Sequence, residues 1–310
     1  MPFFYISQKL FRAILTIWGI VTFVFVILRL SGDPVLQILG PDAEADAIEL
    51  MRHAWGLDIP IWKQYLIYLA NLLKGDLGFS YLDGRDAVTI LIERLPKTLS
   101  LMGATAVFTF MIGIPAGIYA ALHRNSFLDR ATMSLAVMGL SVPNFFLGIL
   151  MILLFSVTWR ILPSSGSETW KHYTMPVITM ATAEAGVFAR FTRSAMLEVL
   201  NQDYIRMAIA KGVPWHKVVR LHALPNAAIP IVTISGFFVG TLIAGGVITE
   251  NVFAWPGVGR LLVESVTNRD LAVVQVIILM IATSMVLTNL TIDLTYGWLD
   301  PRICDLRSDN

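Results

Sequence analysis

The chain has 310 residues, 56% of them hydrophobic and 15% charged, against about 25% charged in an ordinary soluble domain. That balance excludes a soluble globular protein and predicts an integral membrane protein. A net charge of +1 gives no electrostatic case for nucleic acid, and the single Cys304 excludes an internal disulfide and any paired-cysteine metal site.

A crossing helix needs about 20 mostly apolar residues, because the hydrocarbon is about 30 Å thick and each residue rises about 1.5 Å. Six windows meet this requirement, predicting an all-α membrane protein with six transmembrane helices in a single domain, 1–310. The first window covers 10–30, behind Lys9 and Arg12. It is too long for a signal peptide, and Ser31-Gly32-Asp33-Pro34 lacks a small-residue cleavage pattern, so an uncleaved span is expected.

Charge returns over 31–96, the expected long periplasmic loop. Two amphipathic helices are predicted there, Asp42–Trp55 stopping at Gly56 and Pro60–Lys74 stopping at Gly75. In the second, Trp62, Tyr65, Leu66, Leu69, Leu72 and Leu73 form one apolar stripe, expected to rest on the membrane domain or in the interface.

Five further spans form a core over 98–294, at about 98–122, 131–159, 175–191, 227–248 and 273–294. Pro115 and Pro143 are expected to kink the second and third spans. The fourth is rich in small residues (Ala181, Ala183, Ala185, Gly186, Ala189), which let backbones approach closely, so a central place in the bundle is expected. Glu184 is a costly mid-span carboxylate and a translocation-path candidate; the plainer reading is a structural glutamate between helices.

Lysine and arginine in the short loops set the orientation. One side gathers Lys9, Arg12, Arg124, Arg130, Arg190, Arg193, Arg206, Lys211, Lys217, Arg220, Arg302 and Arg307, while the other short loops hold Arg160, Lys171, Arg260 and Arg269. Both termini and the loop over 200–226 are therefore expected in the cytoplasm.

That loop holds the most informative stretch, Asp203–Ile234. Ile205, Ala208 and Ile209 predict a short helix with an apolar strip, ending at Gly212; Pro214 opens a second helix, Trp215–Ala223, which Pro225 separates from the fifth span. A rigid helix pair of this kind is suited to pass a push to the two adjoining spans, and the plainer alternative is a basic loop on lipid headgroups.

The pattern resembles the cytoplasmic coupling motif, the EAA loop, of binding-protein-dependent ABC importer permeases. Ala208, Gly212, Leu224 and Pro225 occupy matching positions, while Arg206, Met207 and His222 depart from the generic motif in the manner of the peptide/nickel subfamily. Ser31-Gly32-Asp33-Pro34, Gly75-Asp76-Leu77-Gly78-Phe79-Ser80, Ala189-Arg190-Phe191-Thr192-Arg193, the segment from Glu250 to Arg260, and Trp298-Leu299-Asp300-Pro301-Arg302 resemble the same subfamily's first permease, in order along the whole chain.

The resemblance implies a permease subunit that moves a peptide-like solute (dipeptide, oligopeptide or glutathione) across the bacterial inner membrane by alternating access, with nickel or a metal chelate as the alternative cargo. It implies a homologous second permease, two cytoplasmic ABC ATPase subunits that carry ATP and Mg, an external solute-binding protein, and surrounding membrane lipid. Arg206, Ala208, Lys211, Gly212, Leu224 and Pro225 would form the ATPase-coupling site: Gly212 for close approach, Ala208 in the partner's groove, Arg206 and Lys211 against its acidic residues.

The chain itself carries no phosphate-binding G-x-x-x-x-G-K-[ST] loop, no catalytic constellation and no histidine spacing suited to a metal. No cofactor is expected on it, and it is read as a transport subunit rather than an enzyme. A self-sufficient secondary carrier is the weaker reading, since no half-to-half repeat is visible. An intramembrane enzyme would need paired catalytic groups, which Glu184 and Asp293 do not supply.

Overall fold

The computed structural model describes residues 3–30, 34–40 and 43–299, so motif positions 31–33 and 300–302, and Cys304, lie outside the described residues. The described residues are helical apart from connecting turns and one isolated antiparallel bridge, Phe79 to Asp86. They fall into two compact units, one made of 3–95 and 261–290, the other of 96–260 and 291–299.

The first unit holds α1 (Phe3–Leu30), α2 (Pro34–Leu39), α3 (Ala45–Ala54) and α4 (Ile61–Lys74), with the start of α5 (Ala87–Leu122), most of α12 (Val258–Thr267) and much of α13 (Leu271–Leu299). Gly75 ends α4 in the left-handed region, φ 82°, as a glycine just past a helix end should. The stripe expected on α4 is divided. Tyr65 packs on α1, its ring 5.3 Å from that of Phe25 and its hydroxyl 2.6 Å from Thr22 Oγ1, while Trp62, Leu66 and Leu73 are exposed. The face turned inward is partly polar: Gln64 is buried, and Tyr68 stacks on Phe25 at 5.5 Å.

The second unit is built around α8 (Trp170–Leu200), which packs on α6 (Phe127–Ser141), α7 (Asn144–Met151) and α11 (Leu224–Val252). The small residues act as expected. Ala181, Ala185, Gly186 and Ala189 are buried, and a Cβ at Gly186 would lie 2.7 Å from the Ala136 carbonyl oxygen of α6. On α5, a Cβ at Gly117 would lie 2.4 Å from the Ala189 carbonyl oxygen.

The prolines behave unequally. Pro115 and Pro230 sit inside the continuous helices α5 and α11. Pro143 instead marks a bend of 93° between α6 and the segment formed by α7 and a π-helical stretch, Ile152–Thr158. Val142, the residue before it, is extended (φ −91°, ψ 118°), because a following proline ring disfavours the helical region. The third predicted span is thus a sharply bent pair rather than a kinked rod.

By length and apolar composition, four described helices can cross a membrane: Ser7–Ile27, Ala87–Leu122, Trp215–Phe238 and Leu271–Thr291, or five with the bent pair. α8 is 31 residues long, about 46 Å at 1.5 Å per residue. Its small, polar and charged residues keep it outside that strictly apolar set.

Candidate functional site

The helix pair predicted after the fourth span is present. α9 (Asp203–Ala210) ends at Lys211, and α10 (Trp215–Val218) begins behind Pro214, whose carbonyl accepts from the backbone N–H groups of Lys217 and Val218 at 2.8 and 3.1 Å. Gly212 has φ 76°. Its N–H donates to the Ile209 carbonyl at 2.9 Å and the Val213 N–H to the Ala208 carbonyl at 3.2 Å, the double closure of a Schellman motif. A Cβ on Gly212 would meet nothing within 4 Å in this chain, so the backbone angle, not crowding, calls for glycine here.

The second half differs from expectation. Pro225 does not separate the pair from the next span: α10 passes into a π-helical stretch, Val219–Ala223, which runs directly into α11, and the caps Val219 and Leu224 both keep helical angles. A π turn displaces the ladder by one residue, relieving the clash of a proline ring with the carbonyl four residues back, and Pro225 lies in the first turn of α11, where its missing N–H matters least.

The pair has two chemically distinct faces. Inward, Ile205, Val218 and Ala223 are buried in one apolar cluster with Ala195 and Met196 of α8, Ala227 and Ile231 of α11, and Ala121 of α5; Ala208, Val213 and Leu224 pack against it half-buried. Outward, Tyr204, Met207 (56% exposed), Ile209, Trp215 (50%) and Leu221 stand in the open with Arg206, Lys211, Lys217 and Arg220. The predicted strip of Ile205, Ala208 and Ile209 is therefore split between the faces. Ala208, expected to enter a partner's groove, rests on the chain's own core. Pro225 is exposed, and Arg206 makes a loose 3.7 Å contact with Asp203 on its own helix.

Glu184 is half-buried on α8 and has no ion-pair partner among the described residues. It precedes Ala195 by eleven positions, about 16 Å along the helix, and so is not part of the coupling pair. Arg193 is committed to Asp129, Nε to Oδ1 at 2.6 Å and Nη2 to Oδ2 at 2.8 Å; the Asp293 side chain lies outside the described ones.

A second built feature was only partly visible in the sequence. Glu250, fully buried near the end of α11, accepts from the Thr98 hydroxyl at 2.7 Å and from the backbone N–H groups of Gly259 and Arg260 at 2.7 and 3.2 Å. Thr98 Oγ1 in turn accepts from the Val258 N–H at 2.7 Å, and the buried Trp255 donates from Nε1 to the Lys97 carbonyl at 3.0 Å. Gly257 and Gly259 make this possible by having no side chain: a Cβ at Gly257 would fall 2.3 Å from Glu250 Oε1, and one at Gly259 2.6 Å from Val247 Cα. The two glycines thus leave room for a buried carboxylate.

Residues 113–304 match the family described as the inner membrane component of binding-protein-dependent transport systems, and residues 3–102 match its N-terminal part. The chain belongs to this permease family. Among its relatives, the permease is similar to the glutathione transport system permease protein GsiC of Escherichia coli O6:H1, 42% identical over 300 residues that cover 96% of this chain and 98% of the relative. The protein of the same description from Shigella dysenteriae serotype 1 is similar at the same identity and coverage. In fold, the permease is similar to a chain of the inward-facing MetNI methionine ABC transporter, with a TM-score of 0.54 at 20% identity over 67% of this chain and 96% of that one. Family membership makes it an ABC importer permease, a transport component of the inner membrane, and sets aside the secondary carrier and the intramembrane enzyme. Among the described residues no group of three or more His, Cys, Asp and Glu is placed to hold a metal ion.

Proposed function

We propose that this permease forms half of the translocation pathway of an ATP-driven importer for a peptide-like solute. The observation that carries the reading is the two-faced helix pair: one face is locked into the ends of α8 and α11, the other is apolar, basic and exposed. In this reading six spans cross the membrane, α8 among them, with both termini and the pair in the cytoplasm. Two ABC ATPase subunits, which bind ATP and Mg, engage the permeases, one on each coupling pair; a homologous second permease completes the path, and an external binding protein delivers the solute.

Mechanically, Met207, Ile209 and Trp215 supply the apolar contact and Arg206 and Lys211 the charge toward acidic groups of the ATPase. Gly212 keeps the turn narrow enough for close approach, Ala208 and Leu224 join the pair to the core, and Pro225 lies at the exposed start of α11 behind it. When ATP closes the ATPase dimer, a displacement of α9 cannot be absorbed locally, because Ile205 is buried against residues of both α8 and α11. Packed interiors transmit strain, so both spans move and the pathway changes the side to which it opens. In this reading Glu184 faces that pathway. The name carried by the relatives supports glutathione, a tripeptide, as the first solute to try.

The test is uptake of labelled glutathione and dialanine into proteoliposomes containing the permease with its ATPases, second permease and binding protein. ATP-dependent uptake, reduced at least about tenfold by Gly212→Arg at equal protein level, is expected. Uptake that needs no ATP, or is unchanged by Gly212→Arg, would contradict the reading.

A further inference from the structure

Within the first unit lies a cavity of about 640 Å³, inside the range of about 300–1,000 Å³ typical of small-molecule sites. Its lining draws on separate elements: Arg29 at the end of α1, Trp55 after α3, Gln64 and Tyr68 on α4, Tyr81 in the following loop, and Gln275 on α13. Trp55 and Tyr81 stack with ring centroids 4.2 Å apart, a flat aromatic wall.

Two polar groups in this lining are built but unused. Among the described residues Arg29 Nε and Nη1 are buried without a hydrogen-bond partner, and the guanidinium rests over the Phe25 ring at 5.5 Å. Gln64 donates from Nε2 to the Ile59 carbonyl at 2.8 Å, which fixes its amide and leaves the buried Oε1 without a donor among the described residues. A buried cation with idle donors and a buried acceptor with no donor each carry a desolvation cost that a complementary ligand removes. Beside them, burial first and neighbouring Tyr65 second push the Tyr68 phenol up to about 12, and burial also raises that of Tyr81. Both phenols stay protonated at physiological pH and add O–H groups without negative charge.

The pairing is specific in its chemistry. A guanidinium fork matches a carboxylate, while a fixed carbonyl oxygen matches an N–H. A peptide's free C-terminal end offers both, a carboxylate and the amide N–H beside it. We propose that this cavity binds the free carboxylate end of a peptide-like solute, Arg29 holding the carboxylate and Gln64 Oε1 accepting from the adjacent amide. The inference rests on the importer reading above and adds to it a solute site in the permease itself, separate from the coupling pair.

The experiment is equilibrium binding of labelled glutathione to the assembled transporter in phosphatidylcholine nanodiscs, without ATP or binding protein, alongside ATP-driven uptake by the same transporter, with its binding protein, in proteoliposomes. Binding is expected to fall at least about tenfold with Arg29→Gln and with glutathione diethyl ester as ligand, and by less with Arg29→Lys. Gln64→Leu is expected to weaken binding too. Should Arg29→Gln fail to assemble, the ester against the free acid on the wild type decides. Glutathione uptake by the wild type together with binding indifferent to Arg29→Gln and to esterification would overturn the cavity site and leave the importer reading standing. Absence of ATP-driven uptake of glutathione and dialanine would overturn that reading and this inference with it. Occupation by phosphatidylethanolamine, whose phosphate and ammonium offer the same pair of groups, with no competition by glutathione, would also overturn the solute site.

Discussion

Glu250 and Thr98, 152 positions apart in sequence, meet in a buried 2.7 Å hydrogen bond that ties the end of α11 to the first half of α5. Thr98 uses both capacities of its hydroxyl, donating to the carboxylate and accepting from the Val258 N–H. Thr98→Val removes both at nearly constant volume and leaves the Val258 N–H orphaned. The expected loss is about 1–3 kcal/mol, read as a lower thermal midpoint of the purified permease, with Thr98→Ser recovering most of it.

Gly257→Ala places a methyl 2.3 Å from Glu250 Oε1 and must push the carboxylate off its donors. It is expected to cost about 1–3 kcal/mol. In a Glu250→Ala background the clash is gone, so the two changes together should cost well under the sum of the singles, by at least about 0.5 kcal/mol. Strict additivity in a double-mutant cycle would show that the glycine serves some other purpose.

Asp129 and Arg193 form a bidentate pair between α6 and α8, with the Asp129 side chain 3% exposed and that of Arg193 23%. Asp129→Ala leaves a half-buried guanidinium unpaired and should destabilise by about 3 kcal/mol. Exchanging the two charges, Asp129→Arg with Arg193→Asp, should recover part of that loss. Equal stability of wild type and Asp129→Ala in a detergent melt would mean that water or lipid satisfies Arg193 as well as the aspartate does.

At the coupling turn, Gly212→Ala and Gly212→Arg should separate two effects. Alanine meets no clash, so it carries only the cost of a left-handed non-glycine residue, about 1–2 kcal/mol, and ATP-driven uptake should persist. Arginine adds bulk on the exposed face, and uptake should fall while the protein still folds. Comparable uptake defects in the two variants would place the glycine's importance in the turn alone.

Much of this architecture was legible because apolar runs and helix punctuation act locally. Gly75 and Gly212 are left-handed helix ends where the sequence puts them, and Pro214 opens α10. Positions decided by distant neighbours were not legible. Whether a proline interrupts a helix, as Pro143 does, or sits within a continuous one, as Pro115 does, depends on whether surrounding elements re-satisfy the freed carbonyl. The division of Ile205, Ala208 and Ile209 between two faces follows from where α8 and α11 press on α9, and no spacing within eight residues reveals that. Glu250 resembled a loop residue until Thr98, far earlier in the chain, supplied its donor; the one local signal was the pair of nearby glycines, which a buried side chain needed for room.

Site-specific cross-linking of the coupling pair tests the central claim most directly. In a Cys304→Ser background, single cysteines at Met207, Trp215 and Ile205 would be treated with a short bifunctional thiol reagent in the assembled transporter, whose ATPase carries one engineered surface cysteine per trial. Cross-links to the ATPase from the exposed positions 207 and 215, altered by ATP, and none from the buried position 205, are the predicted result. Failure of 207 and 215 to reach the ATPase anywhere, or a cross-link from 205 as strong as theirs, would contradict the account.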